Sequence, residues 1–173
     1  EDLCLMLPDA AGVPALAAAC LCFPSRWMLA EKIGRPMRAI HAPVPGLDER
    51  LGATIDRFLV GLKPGQIYAR GNWSLTTDPA LHQPVPLPHA PITAANAGAA
   101  LFYRVERQTL RRIGDSGAVV FGIRIHQHPL AAMPAGQRPA FAEAIAGLDP
   151  ALVAYKSMTD VAATTWVGPV FPS

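Results

Sequence analysis

Apolar and polar residues alternate along two neighbouring stretches in the second half of the chain. In the later stretch every second residue is apolar, namely Val119, Phe121, Ile123 and Ile125. In a strand these four side chains form one apolar stripe. Residues 101–112 show the same two-residue period, which is typical of a β-strand with two different faces. Between them, residues 114–117 read Gly-Asp-Ser-Gly, a strong turn signal. Residues 101–130 are therefore predicted to form one long hairpin.

Other periodic segments come before and after this hairpin. Residues 47–62 carry apolar side chains at helical spacing with charged side chains between them, which predicts an amphipathic helix. Three further strands are predicted at residues 2–7, 15–23 and 66–76, the last of them broken at Gly71, and two short helices at residues 139–146 and 150–156. This order indicates an α+β fold with an antiparallel sheet.

Length and composition narrow the classes of protein. A chain of 173 residues fits a single domain, and its net charge is only +2 without a basic stripe, which argues against nucleic acid as the main partner. No apolar run approaches the roughly 20 residues of a membrane-spanning helix, and no secretory signal is visible. We therefore expect a cytoplasmic protein.

The three cysteines do not form a disulfide framework. Their number is odd, and Cys20 and Cys22 have no second Cys/His pair to complete a zinc site. Buried, reduced cysteines are the expectation for Cys4, Cys20 and Cys22.

The hairpin carries two opposite charges on its strands. Glu106 and Arg124 each lie nine residues from Asp115, so a fold centred there places them opposite each other on one face, away from the apolar stripe. On the residues alone, a structural ion pair worth roughly 0.2–1 kcal/mol is the favoured interpretation, and a ligand site is the alternative. Gly122 is expected to leave room for a ligand beside Arg124. A slip of one residue would place the two charges on opposite faces.

Among the histidines, His41 stands apart because it lies in apolar surroundings before the amphipathic helix. A core histidine with one hydrogen bond is the simpler interpretation, although a single histidine is also what the proximal side of a haem needs. His126-x-His128 is a weak metal signal, and His82 and His89 are expected to be exposed loop residues.

Several segments resemble the haem-dependent oxidative N-demethylase alpha-subunit family, also described as the dimethylamine monooxygenase haem subunit. The matching pieces are Cys22-Phe-Pro-Ser-Arg-Trp27, Ile40-His-Ala-Pro-Val-Pro-Gly46, Arg70-Gly-Asn-Trp73, Arg104-Val-Glu-Arg-Gln-Thr-Leu-Arg-Arg112 and Ser116-Gly-Ala-Val-Val-Phe-Gly-Ile-Arg124. The resemblance covers roughly residues 2–156, and members are usually longer at the N-terminus, so the chain resembles a core fragment or a truncated member.

The resemblance implies a PAS-like antiparallel sheet with helices on one side, holding haem b in a single domain at residues 1–157, with a tail of unknown structure at 158–173. It implies oxidative demethylation of a small secondary amine such as dimethylamine, with O2, external electrons and release of formaldehyde. FMN, an iron–sulfur cluster and tetrahydrofolate would belong to reductase and folate-binding partner subunits. A haem- or ligand-sensing module without turnover is the alternative, and a purely structural domain is a third.

The same resemblance assigns roles to individual residues. His41 would be the axial ligand of the haem iron, and Glu106 and Arg124 would be the catalytic pair in the distal pocket. The substrate pocket would be lined by Tyr103, Asn72, Trp73 and Gly122. The cofactor would be contacted by Trp27, Phe102 and His126. Many relatives read Thr-Ile-Arg-Thr-Tyr where this chain reads Gly122-Ile-Arg-Ile-His126, which leaves the identity of the amine open.

Overall fold

Five strands form one antiparallel sheet in the order β2-β1-β5-β4-β3 in the computed structural model, which describes residues 1–93, 95–114 and 116–156. The strands are β1 (Asp2–Pro8), β2 (Pro14–Cys20), β3 (Ile67–Thr76), β4 (Phe102–Arg112) and β5 (Val119–Pro129). The helices are α1 (Leu29–Lys32), α2 (Met37–His41), α3 (Ala53–Gly61), α4 (Ala97–Ala100), α5 (Arg138–Ala146) and α6 (Pro150–Tyr155). The predicted α+β class is confirmed, and the predicted tail at residues 158–173 lies outside the described residues.

Most predicted elements are present, with shifted ends. The predicted amphipathic helix begins with a π-helical turn at Asp48–Gly52 and continues as α3. One detail of the prediction is wrong. β3 runs unbroken through Gly71, because a glycine is tolerated in an exposed strand position where it packs against nothing. The segment before Pro43 contains the short helix α2, which starts directly after Pro36.

The register of the β4–β5 hairpin differs by one residue from the prediction. The Ile113 N–H donates to the Ala118 carbonyl at 2.9 Å, and Thr109 Oγ1 lies 3.5 Å from the Gly122 carbonyl oxygen. Thr109 therefore faces Gly122 across the hairpin, and counting outward along the same ladder places Glu106 opposite Ile125. The predicted pairing of Glu106 with Arg124 is wrong, because the hairpin closes between Ile113 and Ala118 and is not centred on Asp115.

This register also exchanges the predicted faces of the hairpin. Residues opposite each other in a sheet project to the same side, so Glu106 shares a face with the apolar stripe of β5 that includes Val119 and Ile123. Arg124 projects from the other face, where it is exposed and lies opposite Arg107. Nor is there open space at Gly122, since a Cβ there would lie 2.9 Å from Thr109 Oγ1.

The described chain divides into two compact units, of which the first comprises residues 1–72, 81–86 and 106–125. Its core joins the apolar sides of the central strands to α2 and α3 through Cys4, Met6, Leu16, Met37, Leu59, Leu62 and Val119. In β1, Cys4 lies opposite Phe121 and Met6 opposite Val119. Helices α2 and α3 therefore cover the same sheet face that bears Glu106.

Of the described residues, the second unit comprises 73–80, 87–93, 95–105 and 126–156, and it has its own core. Apolar side chains from α4, α5, α6 and the ends of the strands fill it, including Leu101, Leu130 and Ile145. Trp73 and Tyr103 pack against Phe141 there, with ring centroids 5.1 and 5.3 Å from its own. Over the part of the chain that the structure describes, no helix is long and apolar enough to cross a membrane.

Candidate functional site

A polar ladder crosses strands β3 and β4 in the first unit. Glu106 Oε2 accepts hydrogen bonds from Asn72 Nδ2 at 3.3 Å and from Gln108 Nε2 at 2.8 Å. Arg70 Nε in turn donates to Gln108 Oε1 at 2.7 Å. Four side chains are thus joined into one chain of hydrogen bonds, in which the Glu106 carboxylate accepts from two neighbours.

The two-residue period of the strands explains how this ladder forms. Arg70 and Asn72 are two residues apart on β3, and Glu106 and Gln108 are two apart on β4, so each pair projects to one face. Gln108 is buried, with 7% of its surface exposed, and both ends of its amide are engaged. A buried amide satisfied at both ends has one favourable orientation, so Gln108 fixes Glu106 in place.

His41 is the last residue of α2, and its ring is oriented by its own helix. Nδ1 lies 3.0 Å from the carbonyl oxygen of Met37, four residues earlier. A carbonyl can only accept, so Nδ1 carries the proton and Nε2 keeps its lone pair. This is the tautomer that a metal-binding histidine uses when its other ring nitrogen bonds to the backbone.

The surroundings of His41 favour its neutral form. Burial is the main cause that lowers the pKa of His41 from its ordinary value of 6.5, and the positive charges of Lys32 and Arg70 lower it further. The hydrogen bond to Met37 opposes these effects only in part. A neutral imidazole is the form that ligates iron, so the electrostatics and the tautomer agree.

A shallow cleft lies beside the His41 ring. It is lined by Met37, Arg38, His41, Leu47, Asp48, Gly52 and Ile55. Arg38 and Asp48 form a bidentate ion pair at its edge, with nitrogen–oxygen distances of 2.5 and 2.7 Å. The cleft does not enclose a haem-sized space, so the case for haem at His41 rests on the imidazole and the neighbouring charges.

Lys32 places a cation between Trp27 and α2. Its ammonium lies 5.0 Å from the centroid of the Trp27 ring and donates to the Ile40 carbonyl at 3.2 Å, and burial lowers the pKa of Lys32. The predicted cofactor contact Trp27 is therefore half-buried beside a positive charge. The same ammonium bonds the backbone of Ile40, the residue directly before His41.

The remaining predicted site residues fall into two groups. Asn72 does meet Glu106, whereas Arg124 and Gly122 belong to the opposite face of the hairpin from Glu106. Trp73 and Tyr103 belong to the core of the second unit, where Phe102 is half-buried and His126 is exposed. Tyr103 also differs in parity from Glu106 along β4, as strand alternation requires.

Two residues of the ladder were not assigned from the sequence. Gln108 stands two residues after Glu106 and Arg70 two before Asn72, so same-face parity was the signal available in both strands. The cross-strand match that joins them depends on the register, which the sequence pattern did not fix.

The metal-binding options within the described residues are limited. No group of three or more His, Cys, Asp or Glu side chains is placed to hold a metal ion there.

One family model matches nearly the whole chain. The model describes the haem-dependent oxidative N-demethylase, alpha subunit-like family, and it covers residues 1–165. The chain belongs to this family, which confirms the resemblance drawn from its motifs. The family's name states dependence on haem and an oxidative N-demethylase with an alpha subunit.

Proposed function

We propose that this chain binds haem b through His41 and takes part in the oxidative N-demethylation of a small secondary amine. The observation that carries the proposal is the His41 ring, whose Nδ1–H is bonded to Met37 while Nε2 is left to ligate. Its lowered pKa keeps the imidazole neutral, and membership of the family supplies the cofactor class.

The residues around His41 suit haem in charge as well. Lys32 and Arg70 both act on the ring electrostatically, and haem b carries two propionate groups that are anionic. Charge-assisted hydrogen bonds from these cations to the propionates would hold the cofactor next to His41 Nε2. When bound, haem supplies the oxidising chemistry, while the protein provides the axial ligand and the access route.

Glu106 is the proposed binding group for the amine. A secondary amine is a cation at neutral pH, and a carboxylate on a half-buried sheet face attracts it. Both hydrogen bonds to Glu106 fall on Oε2, and in the described part of the chain no donor reaches Oε1. Oε1 is thus the atom that would accept the N–H of the amine and take its proton.

Asn72 and Gln108 hold this carboxylate in one orientation, so the amine would meet a fixed acceptor. Arg124 is left out of the proposed site because its side chain is exposed on the opposite face of the hairpin. Electrons and O2 must come from outside the chain. Reductase and folate-binding subunits carrying FMN, an iron–sulfur cluster and tetrahydrofolate are the proposed partners, in keeping with the term alpha subunit.

The test compares Glu106→Gln with Glu49→Gln, which alters an exposed acid within the π-helical turn. Each haemin-loaded protein is titrated with dimethylamine while the absorption spectrum is recorded, and formaldehyde is measured after reductant and O2 are added. A hydrogen bond to a charged group contributes roughly 1.5–3 kcal/mol, so Glu106→Gln is expected to weaken amine binding by about tenfold or more. Glu49→Gln is expected to match the unaltered protein.

Equal amine binding by Glu106→Gln and the unaltered protein would remove Glu106 from the proposed site. Amine binding without any formaldehyde from the unaltered protein would favour the alternative, a haem-containing sensing module without turnover.

A further inference from the structure

Two cysteine thiols meet on the surface at the end of β2. Cys20 is the last residue of the strand and Cys22 follows it by two positions, and both side chains are exposed. Their sulfur atoms are 3.8 Å apart. The expectation of buried thiols is wrong for this pair, because β2 ends here with Cys20 opposite Leu3 on the uncovered side of β1, where Leu3 is 49% exposed.

The backbone beneath this pair is held in place. Asp2 has 1% of its surface exposed, and its Oδ1 accepts the N–H groups of Cys22 at 2.7 Å and Phe23 at 2.9 Å. The carbonyl of Cys22 accepts a hydrogen bond from His82 Nδ1 at 3.1 Å. Fixed main-chain groups on both sides of Cys22 leave its side chain as the part that can rotate toward Cys20.

We propose that Cys20 and Cys22 form a redox-active dithiol that closes into an intramolecular disulfide when it meets a low-molecular-weight disulfide. A disulfide bond requires a sulfur–sulfur distance of about 2.0 Å, which side-chain rotation can reach from the observed separation. The site is separate from the polar ladder and from His41, and the proposal does not depend on haem binding.

The reaction proceeds by two thiol–disulfide exchanges. The thiolate of one cysteine attacks a sulfur of oxidised glutathione and releases one glutathione thiol, which leaves a mixed disulfide. The second cysteine then attacks the protein sulfur of that mixed disulfide and releases the other glutathione. Overall, the two protein thiols are oxidised, one glutathione disulfide is reduced to two thiols, and the two protons pass to those thiols.

The pH should control the rate of this reaction. The hydrogen bond with Cys20 is the main cause that raises the pKa of Cys22 above its ordinary value of 9.0, so the Cys22 thiol is protonated at neutral pH. Because only the thiolate attacks, the reaction is expected to speed up as the pH rises toward 9. Cys4 is buried with a pKa raised to about 11, so it is expected to stay unreactive in the folded chain.

The experiment uses the full chain carrying Cys4→Ser, which leaves only the proposed pair. It is compared with the same chain carrying in addition Cys20→Ser or Cys22→Ser. Each reduced protein is exposed to oxidised glutathione without O2, quenched in acid, alkylated with a maleimide and weighed intact by mass spectrometry. The protein that keeps both Cys20 and Cys22 is expected to lose both alkylation sites and to carry no glutathione. In the single-cysteine proteins, the reaction is expected to stop at the mixed disulfide.

Because ring closure is intramolecular, the fraction carrying glutathione should be at least about tenfold lower in the protein with both cysteines. Three results would overturn the proposal. They are equal glutathione loading in all three proteins, two glutathiones on the protein with both cysteines, and no reaction at all. The chain with Cys4 intact provides a second measurement that does not rely on the serine background. There the same disulfide is expected, with Cys4 alkylated only after unfolding.

Discussion

The candidate site at His41 depends on one ring and one carbonyl. Its Nδ1 is bonded to Met37 within the same short helix, so the helix that carries the residue also selects its tautomer. Burial then keeps the ring neutral by lowering its pKa. Each of these effects has a consequence that can be measured without any cofactor.

The lowered pKa of His41 predicts a dependence of stability on pH. The folded pKa lies below 6.5, so as the pH falls through 6.5 the unfolded chain binds a proton at this residue before the folded chain does. The free energy of unfolding is therefore expected to fall as the pH drops from above 6.5 through the folded pKa, and to be highest above 6.5. Urea unfolding between pH 5 and 8 measures this slope.

His41→Gln is expected to remove that part of the slope, and His89→Gln, which alters an exposed histidine, to retain it. A slope that is identical in the unaltered chain and in His41→Gln would show that the ring does not titrate differently in the folded state.

At the level of elements, the hairpin register decides which charges meet. β4 and β5 close at Ile113 and Ala118, which puts Arg124 opposite Arg107, both of them exposed. Like charges directly opposite each other in a sheet are destabilising. The register that the turn motif suggested would instead have placed Arg124 opposite Glu106.

Arg124→Glu is therefore expected to stabilise the chain by roughly 0.2–1 kcal/mol, because it replaces a repulsive cross-strand pair by an attractive one. Chemical denaturation of the variant and the unaltered chain measures the difference. In the alternative register the same change would set two carboxylates opposite each other and lower the stability.

Arg111→Glu is the matched control, since Arg111 is exposed on the same face but lies opposite Val120. It alters the net charge equally without making a cross-strand pair. Adding Arg107→Glu to Arg124→Glu should abolish the gain.

Gly122 gives a second prediction on the same hairpin. A Cβ at this position would lie 2.9 Å from Thr109 Oγ1, closer than side chains normally approach. Gly122→Ala is expected to destabilise the chain by about 1–3 kcal/mol, as overpacking does. Gly71→Ala in β3, where the added Cβ meets nothing within 4 Å, is expected to be tolerated, and Thr109→Ala is expected to rescue part of the loss. Equal effects of the two glycine changes would contradict this packing.

The outcomes at these two scales show what the sequence could and could not predict. Period-two and helical patterns located the hairpin and the amphipathic helix, because side-chain periodicity follows from local geometry. The register of the hairpin could not be predicted in this way, because a shift of one residue at the turn leaves the apolar and polar pattern of each strand unchanged. For this reason the sequence predicts Glu106 and Asn72 as candidate site residues, while the ladder through Gln108 and Arg70 follows only from the structure.

For the whole molecule, the family assignment supplies a cofactor class, and the geometry supplies a residue suited to bind it. The family names haem as the required cofactor, and its model spans residues 1–165. Within the described chain, His41 combines a lone pair on Nε2, a lowered pKa and two neighbouring cations. The PAS-like architecture and the assignment of residues 1–157 to a single domain stay predictions.

The most direct test of this account is a titration of the purified apoprotein with haemin, followed by the Soret band. The unaltered chain is expected to develop a shifted Soret band that saturates at one haemin per chain. His41→Ala is expected to lose that shifted band, while His82→Ala, which alters an exposed histidine bonded to Cys22, is expected to keep it. A Soret band in His41→Ala identical in position and saturation to that of the unaltered chain, or no haemin uptake by the unaltered chain, would contradict the assignment of His41 as the axial ligand.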